Sequence, residues 1–473
     1  MAYKGLREYL AVLEAHGKLV RIRKSVDKDW EISAVFRSMF QRLRPQERKA
    51  LLFENVKGFD IPVVGGILGA SEEIYALALG TSEAGIEEKW LNALKNPIPP
   101  ILVERGPCKE NILRGEEVDL LKFPIPTWTA GEDPGPYITA GTFISKDPDT
   151  GIRNATNYRL QVKGRNKLGC LALPFHDGGV HIAKNNKMAK PTEVAVVIGS
   201  DPAIGLAAVA DVPYGVDELG IAGGLRGAPL ELAKCETVDL EVPASAEIVI
   251  EGEVPANYRE PEGPFGEYTG YMSGGGDTYV MQVKCITHRR DPFFHVFMSQ
   301  FPPSEGSCMR RIGLELTLLR KLKDLSLPVT GVHFKESVGS HAYLVISIRK
   351  TNDTQPQQVM WGAWCAHPLL GKITVVVDDD IDIRNSDEVD WAICYRSQPE
   401  QDLYVVRNCQ PVNLDPSAFP YTDPRGGTPR RIASKVGIDA TKKFPYPARS
   451  IPPKEHLDFV NRHWEEYGFS ATP

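Results

Sequence analysis

The chain changes texture at about residue 305, and that change limits what it can fold into. Upstream, from about residue 123, apolar β-rich runs such as EIVIEGEV (247–254) and TYVMQVKCIT (278–287) alternate with Gly- and Pro-containing loops, which predicts mostly strands and turns. Downstream, CMRRIGLELTLLRKLKDL (308–325) is helical in period. AYLVISI (342–348) and KITVVV (372–377) are continuous apolar runs of the kind found in strands buried on both faces. DEVDWAICYRS (387–397) reads as a helix ahead of another strand, LYVVRN (403–408). Strands alternating with helices predict an α/β C-terminal domain.

The start is helical: Leu6, Tyr9, Leu10 and Leu13 share a face, and Gly17 ends it. The Pro-rich stretch NPIPPILVERGPCKENI (96–112) reads as a connection, and FPIPTWTAGEDPGPYITAG (123–141) opens the next region. The expected divisions are therefore 1–120, 121–305 and 306–473, and 473 residues suffice for cores in each. The tail, PPKEHLDFVNRHWEEYG (452–468), is an amphipathic helix that docks on a partner subunit or packs on the chain's own body. Lys and Arg total 55 against 61 Asp and Glu, so no counterion-releasing basic face for nucleic acid is expected. No apolar run is long enough to span a membrane, and the charged N-terminus lacks the apolar core of a secretory signal; a soluble, cytoplasmic protein is expected. The eight cysteines are scattered without a CxxC pair, which argues for reduced thiols buried as small hydrophobes.

Four stretches could carry chemistry. Glu260–Tyr271 (EPEGPFGEYTGY) holds Glu262 and Glu267 on a loop path fixed by Pro264 and by Gly263 and Gly266. Two carboxylates brought together there would have their pKa values driven apart, as a general acid needs; alone, such a pair is more often a solvated turn. RNATNYRLQV (153–162) reads as one strand, with Asn154 and Arg159 on opposite faces. Arg159 suits an anionic ligand, or else snorkels to the surface. In LPFHDGGVH (173–181), His176 is a metal ligand or a hydrogen-bonded loop residue, and His181 is structural. Glu218 precedes an apolar helix and by itself is a cap. Asp378, Asp379 and Asp380 resemble a magnesium cluster but fit an acidic turn better, and Gly274–Gly276 reads as a mobile connection. No GxSxG, phosphate loop or HExxH motif is present.

In their order and spacing, NATNYR (154–159), FHDGG (175–179), VDEL (216–219), KCETVDLEVPASAEIVIEG (234–252) and EGPFGEYTGY (262–271) strongly resemble the UbiD family of decarboxylases. The resemblance runs from about residue 5 to the C-terminal helix. It implies a multidomain α+β and α/β fold: an N-terminal α/β region, a central split β-barrel of the flavin-reductase type, and a C-terminal α/β dimerisation domain, with hexamers in some members. It implies prenylated FMN as cofactor, made by a flavin prenyltransferase, with its phosphate bridged by Mn2+ (or Mg2+) and K+ nearby. Asn154, His176 and Glu218 match the metal ligands. Asn157, Tyr158, Arg159, Ala172, Leu173, Pro174, Asp177, Gly178 and Lys372 match residues lining the cofactor. Arg159, Glu262 and Glu267 match the catalytic group, with Glu267 as proton donor, Arg159 orienting the substrate carboxylate and Glu262 holding Arg159. The implied reaction is reversible decarboxylation of an aromatic, heteroaromatic or α,β-unsaturated acid. Some hydroxybenzoate-acting members carry Asp at the position of Glu267, whereas Tyr158 resembles the ubiquinone-pathway branch; a hydroxybenzoate-type acid is the first expectation. An FMN-dependent oxidoreductase would instead turn over NAD(P)H without needing Glu267, and a non-catalytic flavin scaffold would tolerate loss of Arg159 and Glu267.

Overall fold

A computed structural model describes residues 3–421 and 430–469. The expected elements form where the patterns place them. The first helix is Leu6–Ala15, burying Leu6, Tyr9, Leu10 and Leu13. Strands Ile248–Val254 and Gly276–His288 occupy the two central runs. After residue 305 come helix Glu305–Asp324, strands Val329–Phe334 and Tyr343–Ile348, helix Gln355–Ala366, strand Ile373–Asp378, helix Ser386–Arg396 and strand Leu403–Cys409.

Four sheets organise these elements. The N-terminal one joins Leu19–Ile22, Ala50–Phe53 and Val63–Gly65 with Phe294–His295, a strand that arrives from far along the chain. A small three-stranded sheet pairs Ile101–Leu102 with Glu231–Lys234, itself paired to Glu241–Pro243. In the C-terminal sheet, Tyr343–Ile348, Ile373–Asp378 and Arg430–Ala440 run parallel with helices between, the α/β pattern expected there.

The central sheet has ten strands, and Asn111–Arg114 belongs to it although it precedes the division expected at residue 120. Its main path begins at Tyr137–Ile138, continues through Leu160–Gly164 and Lys167–Cys170, and ends at Gly141–Lys146 and Arg153–Asn157. Consecutive strands thus lie at opposite ends of the sheet. The chain passes from Asn157 at one end to Leu160 near the other through Tyr158 and Arg159, a span of no more than about 11 Å. Ile138 and Gly141 are related in the same way. The sheet must therefore curl until its ends come close, yet no hydrogen-bonded pairing joins the end strands, and no closed barrel is seen among the described residues.

Two sequence readings change. RNATNYRLQV is two strands, Arg153–Asn157 and Leu160–Gly164, because Tyr158 and Arg159 form the crossing. Cys365 and Cys394 are exposed rather than buried, although all eight thiols are unpaired as expected. The tail helix Lys454–Arg462 buries none of its residues on the chain's own body. No helix among the described residues is long and apolar enough to cross a membrane.

Candidate functional site

Arg159 sits at the seam of the curled sheet. Its Nε and Nη2 donate to Glu262 Oε1 and Oε2 at 3.0 and 2.8 Å, the bidentate geometry in which a guanidinium fork matches a carboxylate. The remaining Nη1 donates to Glu267 Oε1 and, at 3.1 Å, to Ser273 Oγ. Below lies the Phe265 ring, its centroid 5.3 Å from the guanidinium carbon and 4.4 Å from that of Tyr137, the two rings tilted by 41°. Glu262 is 2% exposed, so its charge is affordable only because both oxygens are paired.

Loop geometry converges the two carboxylates. Glu262 ends strand Arg259–Glu262, paired with the start of Gly276–His288. The intervening residues fold back on themselves: Ser273 N donates to Phe265 O at 2.8 Å and Glu267 N to Tyr271 O at 3.0 Å. Gly263 turns the chain with φ +81°, a conformation that side chains disfavour. Gly274 and Gly275, expected as a mobile connection, close this loop, with Gly275 packed near Gly263. Burial pushes the Glu267 carboxyl above its ordinary pKa, and the nearby guanidinium groups of Arg159 and Arg310 only partly oppose it.

A second group lies on the other side of Tyr158. Asp217 caps helix Glu218–Arg226 through Leu219 N and pairs with Arg153 at 2.8 Å, while Glu218 reaches inward and accepts from Ala155 N at 2.8 Å. The cap is therefore Asp217, and Glu218 is a buried side chain facing the strand that carries Asn154. Burial pushes the Glu218 carboxyl up to about 8. Asn154 is buried, and its Nδ2 has no partner among the described residues. His176 is the residue before helix Asp177–Lys187, its ring stacked on Tyr158 at 5.9 Å. Burial lowers its pKa, which favours the neutral imidazole that a metal requires. No cluster of three His, Cys, Asp or Glu side chains poised for a metal occurs among the described residues. The expected set uses only two such groups plus an amide. Its donors nevertheless fit a hard cation: a buried carboxyl without a counter-charge, an amide that can turn its oxygen inward, and a neutral imidazole.

Most residues expected to line a cofactor are brought together here. Gly178 packs on the Tyr158 ring, and Gly179 lies so close to the turn at Ala172–Pro174 that a Cβ would stand 2.0 Å from Leu173 O. Asn157 accepts from Thr142 Oγ1 at 3.2 Å, and Asp177 follows His176 at the helix start. Lys372 stands apart. It pairs with Asp415 at 2.7 Å on the wall of a cleft of about 460 Å³ that Tyr268, Thr269 and Tyr271 also line. Asp378 and Asp380 are neutralised by Arg396 at 2.9 and 2.7 Å, the structural turn expected of them. His181 likewise makes a buried contact with Ser145 at 2.9 Å. Sequence reasoning missed Ser273, Phe265 and Arg310. Ser273 and Phe265 flank the loop carrying Glu267, but only the folded loop shows that they touch Arg159.

Three family domains match the chain in succession, each of 3-octaprenyl-4-hydroxybenzoate carboxy-lyase: the N-terminal domain at residues 10–94, the Rift-related domain at 101–301 and the C-terminal domain at 307–440. A protein of Archaeoglobus fulgidus is 36% identical over 473 residues, covering 94% of this chain and 93% of that protein. Among solved structures, the UbiD-class enzyme HmfF from Pelotomaculum thermopropionicum in complex with FMN superposes with a TM-score of 0.86 at 40% identity, covering 97% of this chain and 99% of that one. An evolved dimeric form of HmfF in complex with prFMN gives 0.83 at 39% identity, covering 97% and 100%. The open form of vanillic acid decarboxylase from Sedimentibacter hydroxybenzoicus gives 0.85 at 29% identity, covering 99% and 100%. With matched domains across most of its length and relatives spanning nearly all of it, the chain belongs to the UbiD family of carboxy-lyases.

Proposed function

We propose that this chain reversibly decarboxylates an aromatic, heteroaromatic or α,β-unsaturated carboxylic acid, a hydroxybenzoate-type acid first, with prenylated FMN as cofactor. The observation that carries this reading is the Glu262–Arg159–Glu267 array, in which one guanidinium serves two carboxylates held in different environments. Complexes of HmfF with FMN and prFMN support the choice of cofactor.

When bound, the prenylated flavin supplies the electron sink that an aryl or vinyl carboxylate lacks. Arg159 binds and orients the substrate carboxylate with Nη1, while Glu262 holds the guanidinium by its other edge. As Nη1 exchanges Glu267 for substrate, Glu267 loses a neighbour that lowers its pKa and retains its proton. The carbon–carboxylate bond breaks, CO₂ departs, and Glu267 gives its proton to the carbon left behind. Carboxylation is the reverse of these steps. Asn154, His176 and Glu218 would hold Mn2+ or Mg2+, with K+ nearby. Asn157, Tyr158, Ala172, Leu173, Pro174, Asp177 and Gly178 would line the flavin, and Lys372 would reach its phosphate.

The curled, unclosed central sheet supports the split-barrel reading of the cofactor domain, and divisions near residues 120 and 305 remain our assignment. The uncovered tail helix supports a homo-oligomer built through the C-terminal domain, and an evolved form of HmfF is dimeric. A flavin prenyltransferase would supply the cofactor. The test is co-expression with such an enzyme, mass spectrometry of the bound flavin, and an acid panel scored by CO₂ release. Prenylated FMN with decarboxylation abolished in Glu267→Gln is expected; full activity with ordinary FMN overturns the reading.

A further inference from the structure

The three residues proposed to hold a cation come from three separate segments. Asn154 lies on strand Arg153–Asn157, His176 stands at the start of helix Asp177–Lys187, and Glu218 ends the loop that follows helix Pro202–Ala207. Each segment also contributes a side chain to one common point. Asp147 closes the hairpin between strands Gly141–Lys146 and Arg153–Asn157, its N–H donating to Ile152 O at 2.9 Å. The Asp147 carboxylate accepts from Lys184 Nζ, in the last turn of helix Asp177–Lys187, at 2.9 and 2.8 Å. Tyr214 Oη, from the loop leading to Glu218, donates to Asp147 Oδ2 at 2.6 Å.

Asp147 is only 3% exposed, which sets this knot apart from surface ion pairs that contribute little. A buried carboxylate keeps its charge only while its oxygens are paired, and here the partners belong to different segments. Asp149 N adds a further donor to Oδ1 at 2.9 Å. The rings reinforce the tie: Lys184 Nζ lies 5.4 Å from the centroid of Tyr214, and His181 of the same helix meets Tyr214 edge to face at 6.1 Å. His181 Nδ1 also contacts Ser145 Oγ at 2.9 Å, and Ser145 is the cross-strand partner of Asn154. Next to the ligands themselves, Arg153 joins Asp217 at 2.8 Å and Glu241 at 3.0 Å, so the chain neighbours of Asn154 and Glu218 are linked as well.

We infer that Asp147 is a positioning residue for the proposed cation site: by gathering Lys184 and Tyr214 it holds in register the three segments that present Asn154, His176 and Glu218, and so sets how tightly a divalent cation is retained. This rests on the metal assignment above and deepens it. Without the tie, binding would have to order three segments at once, and the entropy of ordering them would be subtracted from the affinity. With it, the donors stand in place beforehand, which matters for a set of one carboxyl, one amide and one neutral imidazole that supplies little charge. None of the hydrogen bonds of Asp147 goes to an expected ligand, so its effect falls on retention and leaves the protonation step alone.

The experiment titrates Mn2+ into chelator-stripped full-length protein and counts free Mn2+ by its EPR signal. Tyr214→Phe is expected to weaken Mn2+ binding about 10-fold and Asp147→Asn about 10- to 100-fold, the range in which loss of a group that orients metal ligands falls. In holoenzyme made with a flavin prenyltransferase, flavin retained through gel filtration should fall in the same order, while kcat at saturating Mn2+ stays close to that of the wild type. Should Asp147→Asn fail to fold, Tyr214→Phe, which removes a single hydroxyl, decides alone. Variants that bind Mn2+ like the wild type overturn the inference whatever their melting temperatures, since a purely structural knot would lower stability and nothing else. Equal weakening in Tyr258→Phe also overturns it: that variant loses a comparable bond, to Glu260 at 2.6 Å, beside a strand that carries no expected ligand. Wild-type protein that binds no Mn2+ overturns the metal assignment and the inference together, and CO₂ release by that same protein would leave the decarboxylase reading standing.

Discussion

Arg159 and Glu262, more than a hundred residues apart in the chain, meet through two parallel hydrogen bonds of 3.0 and 2.8 Å at the seam of the central sheet. This pair is what makes the array directional. With one edge of the guanidinium committed to Glu262, only Nη1 remains to face Glu267 or a substrate, so Arg159 presents a fixed edge rather than a mobile charge.

Glu262→Ala should therefore damage both fold and function. Removing one partner of a buried ion pair leaves the other uncompensated, at a cost of about 3–5 kcal/mol. Thermal unfolding should register that loss, and decarboxylation should fall by at least ~100-fold as Arg159 loses its orientation. A melting temperature equal to that of the wild type would show that the pair carries no such weight.

Glu267→Gln should leave stability and flavin content nearly unchanged while lowering kcat by about 10²–10⁴-fold, the usual contribution of a positioned acid. Because burial raises the pKa of Glu267, the donor form persists to higher pH than for a free glutamate. The rate should be highest where Glu267 is protonated and decline as pH rises through its pKa. A pH–rate profile of kcat in the wild type that rises over that range would exclude Glu267 as the acid.

The elements were readable because their periodicities are strong: each continuous apolar run after residue 305 became a buried strand. The site was readable as residue types, and the resemblance supplied its partners. What escaped was the crossing at Tyr158 and Arg159. A run such as RNATNYRLQV carries no Pro or Gly to mark a break, and whether it continues depends on which strands lie beside it, a property of the whole sheet. Arg310 escaped for a similar reason. In sequence it is half of an Arg-Arg pair on a helix, and only the folded chain shows that Glu72, Glu315 and Glu336 gather beside Arg311 while no carboxylate among the described residues pairs with Arg310.

Gly179→Ala tests whether the close approach of helix Asp177–Lys187 to the Ala172–Pro174 turn is needed. The added methyl would overlap Leu173 O, and backbone on both sides cannot yield without moving His176 and Tyr158. Overpacking of this kind costs typically ~1–3 kcal/mol. Flavin content measured by absorbance should drop along with the melting temperature; normal flavin loading would detach this segment from cofactor binding.

His176→Ala and Glu218→Ala should each lower flavin retention more than they alter the protonation step. Metal analysis should show a divalent cation lost in parallel, and dialysis of the wild type against a chelator should reproduce the loss. Variants that keep both flavin and metal would remove Asn154, His176 and Glu218 from the proposed ligand set.

Glu305 gives a pH signature separate from catalysis. Burial pushes its pKa up to about 7, above the value it has in the unfolded chain. The folded state therefore holds this proton more tightly than the unfolded state does. The resulting stability is fully present below about pH 4.5 and is lost as pH rises through about 7, on the order of 3 kcal/mol across that window. Glu305→Gln cannot titrate, so the wild type should lose stability relative to it between pH 5 and 8 in denaturant unfolding. A constant difference between the two proteins across that range would mean that the Gly66 and Leu68 amides, which donate to Glu305, hold it ionised throughout.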